Sequence, residues 1–183
     1  SLERIRGMRS LIMDMLDLTR LETGKKKREI KKVDLVQVAR ISIDTMTPMA
    51  IQKNIKVFLD SDEPSVYLNA DSSEIEIIFN NLVSNAVKYN VQDGTVNILI
   101  KNEGTKVKIS VSDTGIGMSA EDMTKLFQDF SRIKNEKTKG ISGSGLGLSI
   151  MKKTVEEYYH GTVTVTSEPD KGSTFIVEIP QNS

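Results

Sequence analysis

The chain has 183 residues, with 25 Lys and Arg balanced by 25 Asp and Glu, one histidine and no cysteine. That length is one ordinary domain with a remainder, and zero net charge removes bulk attraction to nucleic acid or anionic lipid as a driving force. Without cysteine there is no disulfide framework, thiolate metal site or catalytic thiol, and the lone His160 excludes multi-histidine metal sites and relays.

From Leu2 to Thr23 the apolar residues Leu2, Ile5, Met8, Leu11, Ile12, Met15, Leu16 and Leu18 recur at intervals of three and four, which predicts a helix. At 1.5 Å per residue it would be about 33 Å long. Its apolar band is wide, as in a helix packed against several neighbours in a bundle, and Met8, Met13 and Met15 read as bundle packing. Its apolar stretches are cut by Asp14 and Asp17, far short of the roughly 20 residues that span a bilayer. With no signal peptide in view, a soluble, cytoplasmic domain is expected. Gly24 stops the helix. The run KKKREIKK at 25–32 opposes six cations to Glu29 alone and reads as a solvated hinge between residues 1–24 and a domain over 33–183, with a phospholipid or partner contact as the alternative.

Asp34 can cap a helix over 35–53, which Pro48 is expected to bend or shorten. Strands are predicted at 55–59 and 66–69. Asp71 and Glu74 form a capping-box-like start to the next helix, whose apolar side carries Ile75, Ile78, Phe79, Leu82, Val83 and Ala86. Val96, Ile98 and Ile100, then Val107, Ile109 and Val111, alternate with polar residues on either side of a Glu103-Gly104 turn, which predicts a strand pair. A third domain helix over 146–159 leads into strands at 162–166 and 174–179. This order predicts an α+β fold, a mixed sheet covered on one face by helices and preceded by one long helix.

Six of the 12 glycines fall between Gly115 and Gly147, a density that lets backbone approach a ligand closely. Asp113-Thr-Gly-Ile-Gly follows an alternating strand, and Gly143-Ser-Gly-Leu-Gly-Leu opens a helix, as a polyphosphate-binding segment would. The Gly143 box is neither a dinucleotide fingerprint nor a P-loop. A third element raises the signal. In Asn81-Leu-Val-Ser-Asn85-Ala-Val-Lys88-Tyr89, residues 81, 85 and 88 share one helical face. Asn amide oxygens suit the oxygen shell of Mg²⁺, and a Lys one turn on can neutralise phosphate charge. Asp113 at its strand end can accept from the exocyclic amine of adenine and would repel the acceptor that guanine presents there, so ATP is expected over GTP.

In order and context, the Asn box at 81–89, DTGIG at 113–117, LFQDF with Phe127 and Phe130, GSGLGL at 143–148 and GSTF at 172–175 resemble the catalytic ATP-binding domain of sensor histidine kinases. MDMLDLTRLETGK at 13–25 resembles the end of the second helix of the dimerisation and phosphoacceptor hairpin that precedes it. The resemblance implies a two-layer α/β sandwich of the Bergerat type with ATP and Mg²⁺ as cofactors. It implies Asn85 as Mg²⁺ ligand, Asn81 as its helper, Lys88 as a phosphate contact and Tyr89 as an adenine-side contact. Asp113 would be the adenine selector, with Gly115 and Gly117 shaping its turn. Gly143, Ser144, Gly145, Leu146, Gly147 and Leu148 would form the phosphate-facing lid hinge, Phe127 and Phe130 the lid anchors, and Thr174 would lie near the adenine. Arg132, within the basic run SRIKNEKTK, matches a cation that can reach the γ-phosphate.

Gyrase-like and chaperone ATPases carry Glu where this chain has Asn81, and an amide cannot act as a general base. The resemblance therefore favours γ-phosphoryl transfer to a protein histidine, with relay to a response-regulator aspartate, over hydrolysis. The phosphoacceptor helix lies outside the sequence, so a fragment that binds ATP without labelling itself is expected, as is a homodimer through hairpin helices in the intact protein. A non-catalytic nucleotide-binding scaffold is the alternative. His160 reads as structural at a helix end, Tyr158 and Tyr159 as helix-to-sheet packing, and Glu156 and Glu157 as a solvated face.

Overall fold

The period-two alternation over 95–113 forms the centre of a five-stranded sheet, since each such strand has one apolar face to bury. The computed structural model describes residues 1–24 and 27–181, so Lys25 and Lys26 of the expected hinge lie outside the described residues. The elements are α1 (Leu2–Thr23), β1 (Lys31–Asp34), α2 (Leu35–Gln52), β2 (Lys56–Ser61), β3 (Tyr67–Ala70), α3 (Ser72–Lys88), β4 (Thr95–Asn102), β5 (Lys106–Asp113), α4 (Ala120–Lys125), α5 (Gly147–Lys153), β6 (Thr162–Glu168) and β7 (Gly172–Pro180). The sheet order is β2-β4-β5-β7-β6, with β2 and β4 parallel and the other neighbours antiparallel. β1 and β3 pair separately as an antiparallel ribbon.

Ile98, Ile100, Ile109, Phe175, Val177 and Ile179 lie on the buried face, in one core with Leu35, Ile75, Phe79, Leu82 and Met151 of the helices. Each such side chain contributes about 1.5–3 kcal/mol when fully buried, so this face holds the two layers together. The opposite face carries Lys106, Lys108, Ser110 and Ser112 of β5 and stays more open. This is the expected mixed sheet with helices on one side.

Several local readings change. Pro48 does not end α2, which runs through it to Gln52. α5 continues as a π turn over Thr154–Tyr158, and the two together make the helix expected at 146–159. Lys31 and Lys32 are exposed, as a solvated run would be, but form half of strand β1, where Val33 alone is buried. Arg28 is docked as well. Its guanidinium makes three hydrogen bonds of 2.9–3.2 Å to the carboxylate of Glu74, a residue only 1% exposed, and it stacks 4.4 Å from the centroid of the Tyr158 ring.

Glu74 therefore does not close a simple capping box. Asp71 does cap α3, accepting from Ser73 N at 2.9 Å, and its second oxygen accepts from Glu29 N at 2.9 Å. The reciprocal half runs through Tyr159, whose hydroxyl accepts from Asp71 N at 3.1 Å and donates to Glu74 Oε1 at 2.6 Å. Burial first, then the Glu74 carboxylate, push that hydroxyl well above the usual tyrosine range. The hydrogen bond to Glu74 likewise raises Arg28, which stays charged throughout.

Arg28→Met is expected to lower stability by about 3 kcal/mol, since it removes the cation that compensates a buried carboxylate. Tyr159→Phe should cost about 1 kcal/mol. Urea unfolding checks both, as a lower midpoint with an unchanged slope.

Candidate functional site

Helix α3 has two working faces. Ile75, Ile78, Phe79, Leu82 and Val83 enter the core, while Asn81, Asn85 and Lys88, four and three residues apart, line a cavity of about 420 Å³. Asp113, Ile116, Gly117 and Met118 form a second wall, and residues 131–133 with Gly143, Ser144, Gly145, Gly147 and Leu148 a third. Ile116, Met118, Leu126 and Leu148 give the lining apolar surface, and the Asn face and glycine box give it polar groups.

Asp113 is fixed by its own strand end. Its Oδ1 accepts from Gly115 N at 2.8 Å and from Ser173 N at 3.3 Å, which leaves the other oxygen for a ligand. Burial raises its carboxyl from 3.8 to about 6, against the opposing pull of those two N–H groups. Gly115 lies behind the cavity wall, where a Cβ would overlap the Tyr89 carbonyl. Ile116 N donates to that same carbonyl at 3.1 Å, so the loop after β5 is joined to the end of α3. Gly117, at φ 65°, is pressed against the Glu168 carbonyl and tolerates neither a side chain nor an ordinary backbone there.

The end of α3 is held by a cation that the sequence did not suggest. Lys53 Nζ donates to the carbonyls of Lys88 at 2.7 Å, Asn90 at 3.2 Å and Val87 at 3.3 Å. The carbonyls of Val87 and Lys88 belong to the negative end of the helix dipole, and burial lowers the Lys53 ammonium from its usual range.

Asn81 donates through Nδ2 to Ile77 O at 2.8 Å, and its Oδ1 faces Gly147 so closely that a Cβ there would overlap it. Asn85 makes no side-chain hydrogen bond to protein among the described residues, so its amide is available to a ligand or ion. No cluster of three His, Cys, Asp or Glu suited to a metal occurs among the described residues. A divalent ion here would rest on the Asn85 amide and on oxygens brought by the ligand, a donor set that suits Mg²⁺.

The segment between β5 and α5 crosses itself. Phe130 sits at φ 61°, rare for a bulky residue, and a Cβ on Gly145 would lie 2.8 Å from Phe130 Cα. Asp129 accepts from Ser149 Oγ and, at 3.2 Å, from Lys153 Nζ, which fastens this segment to α5. Both contacts hold the Asp129 carboxyl below its ordinary range, the Ser149 hydroxyl foremost. Arg132 lines the cavity while its guanidinium donates to Ile141 O.

The predicted residues are thus divided. Asn81, Asn85, Lys88, Tyr89, Asp113, Gly117, Arg132, Gly143, Ser144, Gly145, Gly147 and Leu148 converge on the cavity. Phe127 packs edge-on to Phe175, ring centroids 6.4 Å apart, Phe130 is 58% exposed and Leu146 is buried against α1. Thr174 is not among the residues that line the cavity. It hydrogen-bonds Ser112 across the outer face at 2.9 Å, and its neighbour Ser173 lines the cavity, because alternate residues of β7 face opposite sides. Counting back by twos from Phe175 in the core would have selected Ser173. Ser10, Asp14 and Asp17 of α1 also line the cavity, and no local motif signals them.

The family described as "Histidine kinase-, DNA gyrase B-, and HSP90-like ATPase" matches residues 70–183. The circadian input-output histidine kinase CikA of Synechococcus elongatus is 34% identical over 176 residues, covering 94% of this chain and 23% of that protein, so the chain spans less than a quarter of its length. The catalytic domain of histidine kinase ThkA superposes with a TM-score of 0.74 at 28% identity, covering 85% of this chain and 99% of that one. Full-length ShkA, solved in complex with AMPPNP, superposes with a TM-score of 0.80 at 28% identity, covering 93% of this chain and 35% of that one.

The Asp113 carboxyl holds its proton more tightly folded than unfolded. The stability this contributes is complete below the unfolded value of 3.8 and is lost as pH rises through about 6. Asp113→Asn is expected to abolish that part of the decline, and its stability relative to the parent chain should grow from about pH 4 to a plateau above about pH 6. Denaturant midpoints across that pH range measure it.

Proposed function

The chain belongs to the histidine kinase-, DNA gyrase B- and HSP90-like ATPase family, and we propose that it is the ATP-binding catalytic core of a sensor histidine kinase. The observation that carries this reading is the Asp113 carboxylate, pinned through one oxygen in a cavity that also holds the Asn81, Asn85 and Lys88 face and the glycine box. In this reading the free Asp113 oxygen accepts from the amino group of adenine, and Ile116 and Met118 cover the ring. The phosphates extend toward Lys88 and the backbone of Gly143 to Gly147. Asn85, aided by Asn81, would hold Mg²⁺. That ion, when bound, neutralises phosphate charge and orients the terminal group.

Transfer then breaks the bond from the γ-phosphorus to its bridging oxygen and forms one to a histidine nitrogen on a hairpin helix, with ADP leaving. The protein's part is positioning and charge stabilisation. Arg132, now bonded to Ile141 O, is the cation that would turn to the terminal phosphate. Asn81, an amide with its nitrogen bonded to Ile77 O, offers no base to activate water, which supports transfer over hydrolysis. We further propose the response-regulator aspartate as the next acceptor, dimerisation through the hairpin helices, and a cytoplasmic setting. Among the described residues no helix is long and apolar enough to cross a membrane.

Calorimetric titration with a non-hydrolysable ATP analogue and its GTP counterpart, with and without Mg²⁺, tests the reading. Binding of the adenine compound alone is expected, weakening as pH falls through about 6 and Asp113 gains a proton. Asn85→Ala should lower the Mg²⁺-dependent affinity at least roughly tenfold. Equal binding of both nucleotides, or an unchanged Asn85→Ala affinity, would overturn the assignment.

A further inference from the structure

Helix α1 is docked on the glycine box. Leu21 is buried with Leu146 and Ile150, Leu11 and Leu18 pack against them, and Glu22 lies 4.0 Å from Lys153 Nζ. Between Leu11 and Leu18 along α1, Asp14 Oδ2 accepts from Ser144 Oγ at 2.6 Å, and the same hydroxyl accepts from Leu146 N at 3.1 Å. The hydroxyl proton of the glycine box is therefore committed to a carboxylate of α1. Asp14 and Asp17 both line the cavity, so two acidic side chains of α1 share it with the Asn face.

Resting on the reading of this cavity as an ATP site, we propose that Asp14 is a competitor of the nucleotide phosphates carried by the chain itself. Its carboxylate takes the place at Ser144 that a phosphate oxygen would occupy. It also sets a negative charge against a triphosphate, where partial burial keeps the repulsion from being fully screened. Docking of α1 and binding of a charged nucleotide then oppose one another, and by linkage each weakens the other by the same factor. Movement of α1 off the glycine box frees Ser144 and opens the cavity to the phosphates. Such a helix sets nucleotide affinity without touching the base.

The dependence on ligand charge is the signature. The chain and its Asp14→Asn and Asp14→Ala variants are titrated, with Mg²⁺ present, with a non-hydrolysable ATP analogue, with ADP and with adenosine. Asn keeps an acceptor for Ser144 and removes the charge, so Asp14→Asn should bind the triphosphate roughly 5- to 10-fold more tightly. The gain should be smaller for ADP and absent for adenosine, and Asp14→Ala, which removes the contact too, should gain at least as much. An unchanged or weaker triphosphate affinity in both variants overturns the proposal and leaves the ATP reading intact. A gain of equal size for adenosine overturns it in the same way, since that would be a change of packing. Failure of all three proteins to bind the triphosphate analogue sinks the ATP reading, and the competition with it.

Discussion

The Tyr89 carbonyl sits where three parts of the molecule meet. It lies just past the end of α3, it accepts the Ile116 N–H at 3.1 Å, and it occupies the space a side chain on residue 115 would need. Asp113 can turn its carboxylate toward the cavity only because Gly115 lets the chain fold back at this point and donates to Oδ1. Moving this junction would separate the Asn face from the Asp113 wall, with the sheet behind them intact. Lys53 guards the same place from the other side, donating to the carbonyls of Val87, Lys88 and Asn90 where the helix ends.

The economy of α3 follows from its period. A helix in a two-layer fold must bury one face and can leave the other polar. Here the polar face is turned to a cavity in place of bulk solvent, so the packing that stabilises the domain also sets the positions of Asn81, Asn85 and Lys88. Rigidity at the site is inherited from the core. The segment opposite has less of this support, through the partly buried Leu126, Phe127 and Ile133. It is also fastened by polar contacts such as Asp129 to Ser149 and Lys137 to Asp170, and contacts of that kind are individually weak and easily exchanged.

Much of this was legible in the sequence because it is periodic or local. Alternation along 95–113 and the 3.6-residue pattern of α3 each place a buried face without knowledge of the partner, and the glycine clusters mark where backbone must turn or come close. What escaped depends on partners distant along the chain. Lys31 and Lys32 look like hinge because a short strand with one buried residue has no pattern to detect. The Arg28, Glu74 and Tyr159 network joins residues 46 and 85 positions apart, and Glu74 alone resembled an ordinary cap. Thr174 and Ser173 differ by one step of strand parity, which motif order does not encode and the core position of Phe175 does. The entry of Asp14 into the cavity depends on how a whole helix is laid against the domain.

β5 and β7 pair side by side, from Lys106 with Pro180 to Asp113 with Ser173, although the segment over the cavity and all of α5 and β6 lie between them along the chain. The loop over the cavity is therefore closed by a ladder that does not involve it. For a flexible loop the entropy of closure grows only with the logarithm of length, so doubling it would add about 0.6 kcal/mol. Changes of length between residues 119 and 142 should therefore cost the sandwich little in closure entropy, provided that Leu126, Phe127 and Ile133, which pack against the core, are kept. The length of the segment over the cavity and the closure of the sandwich are thus set independently of each other.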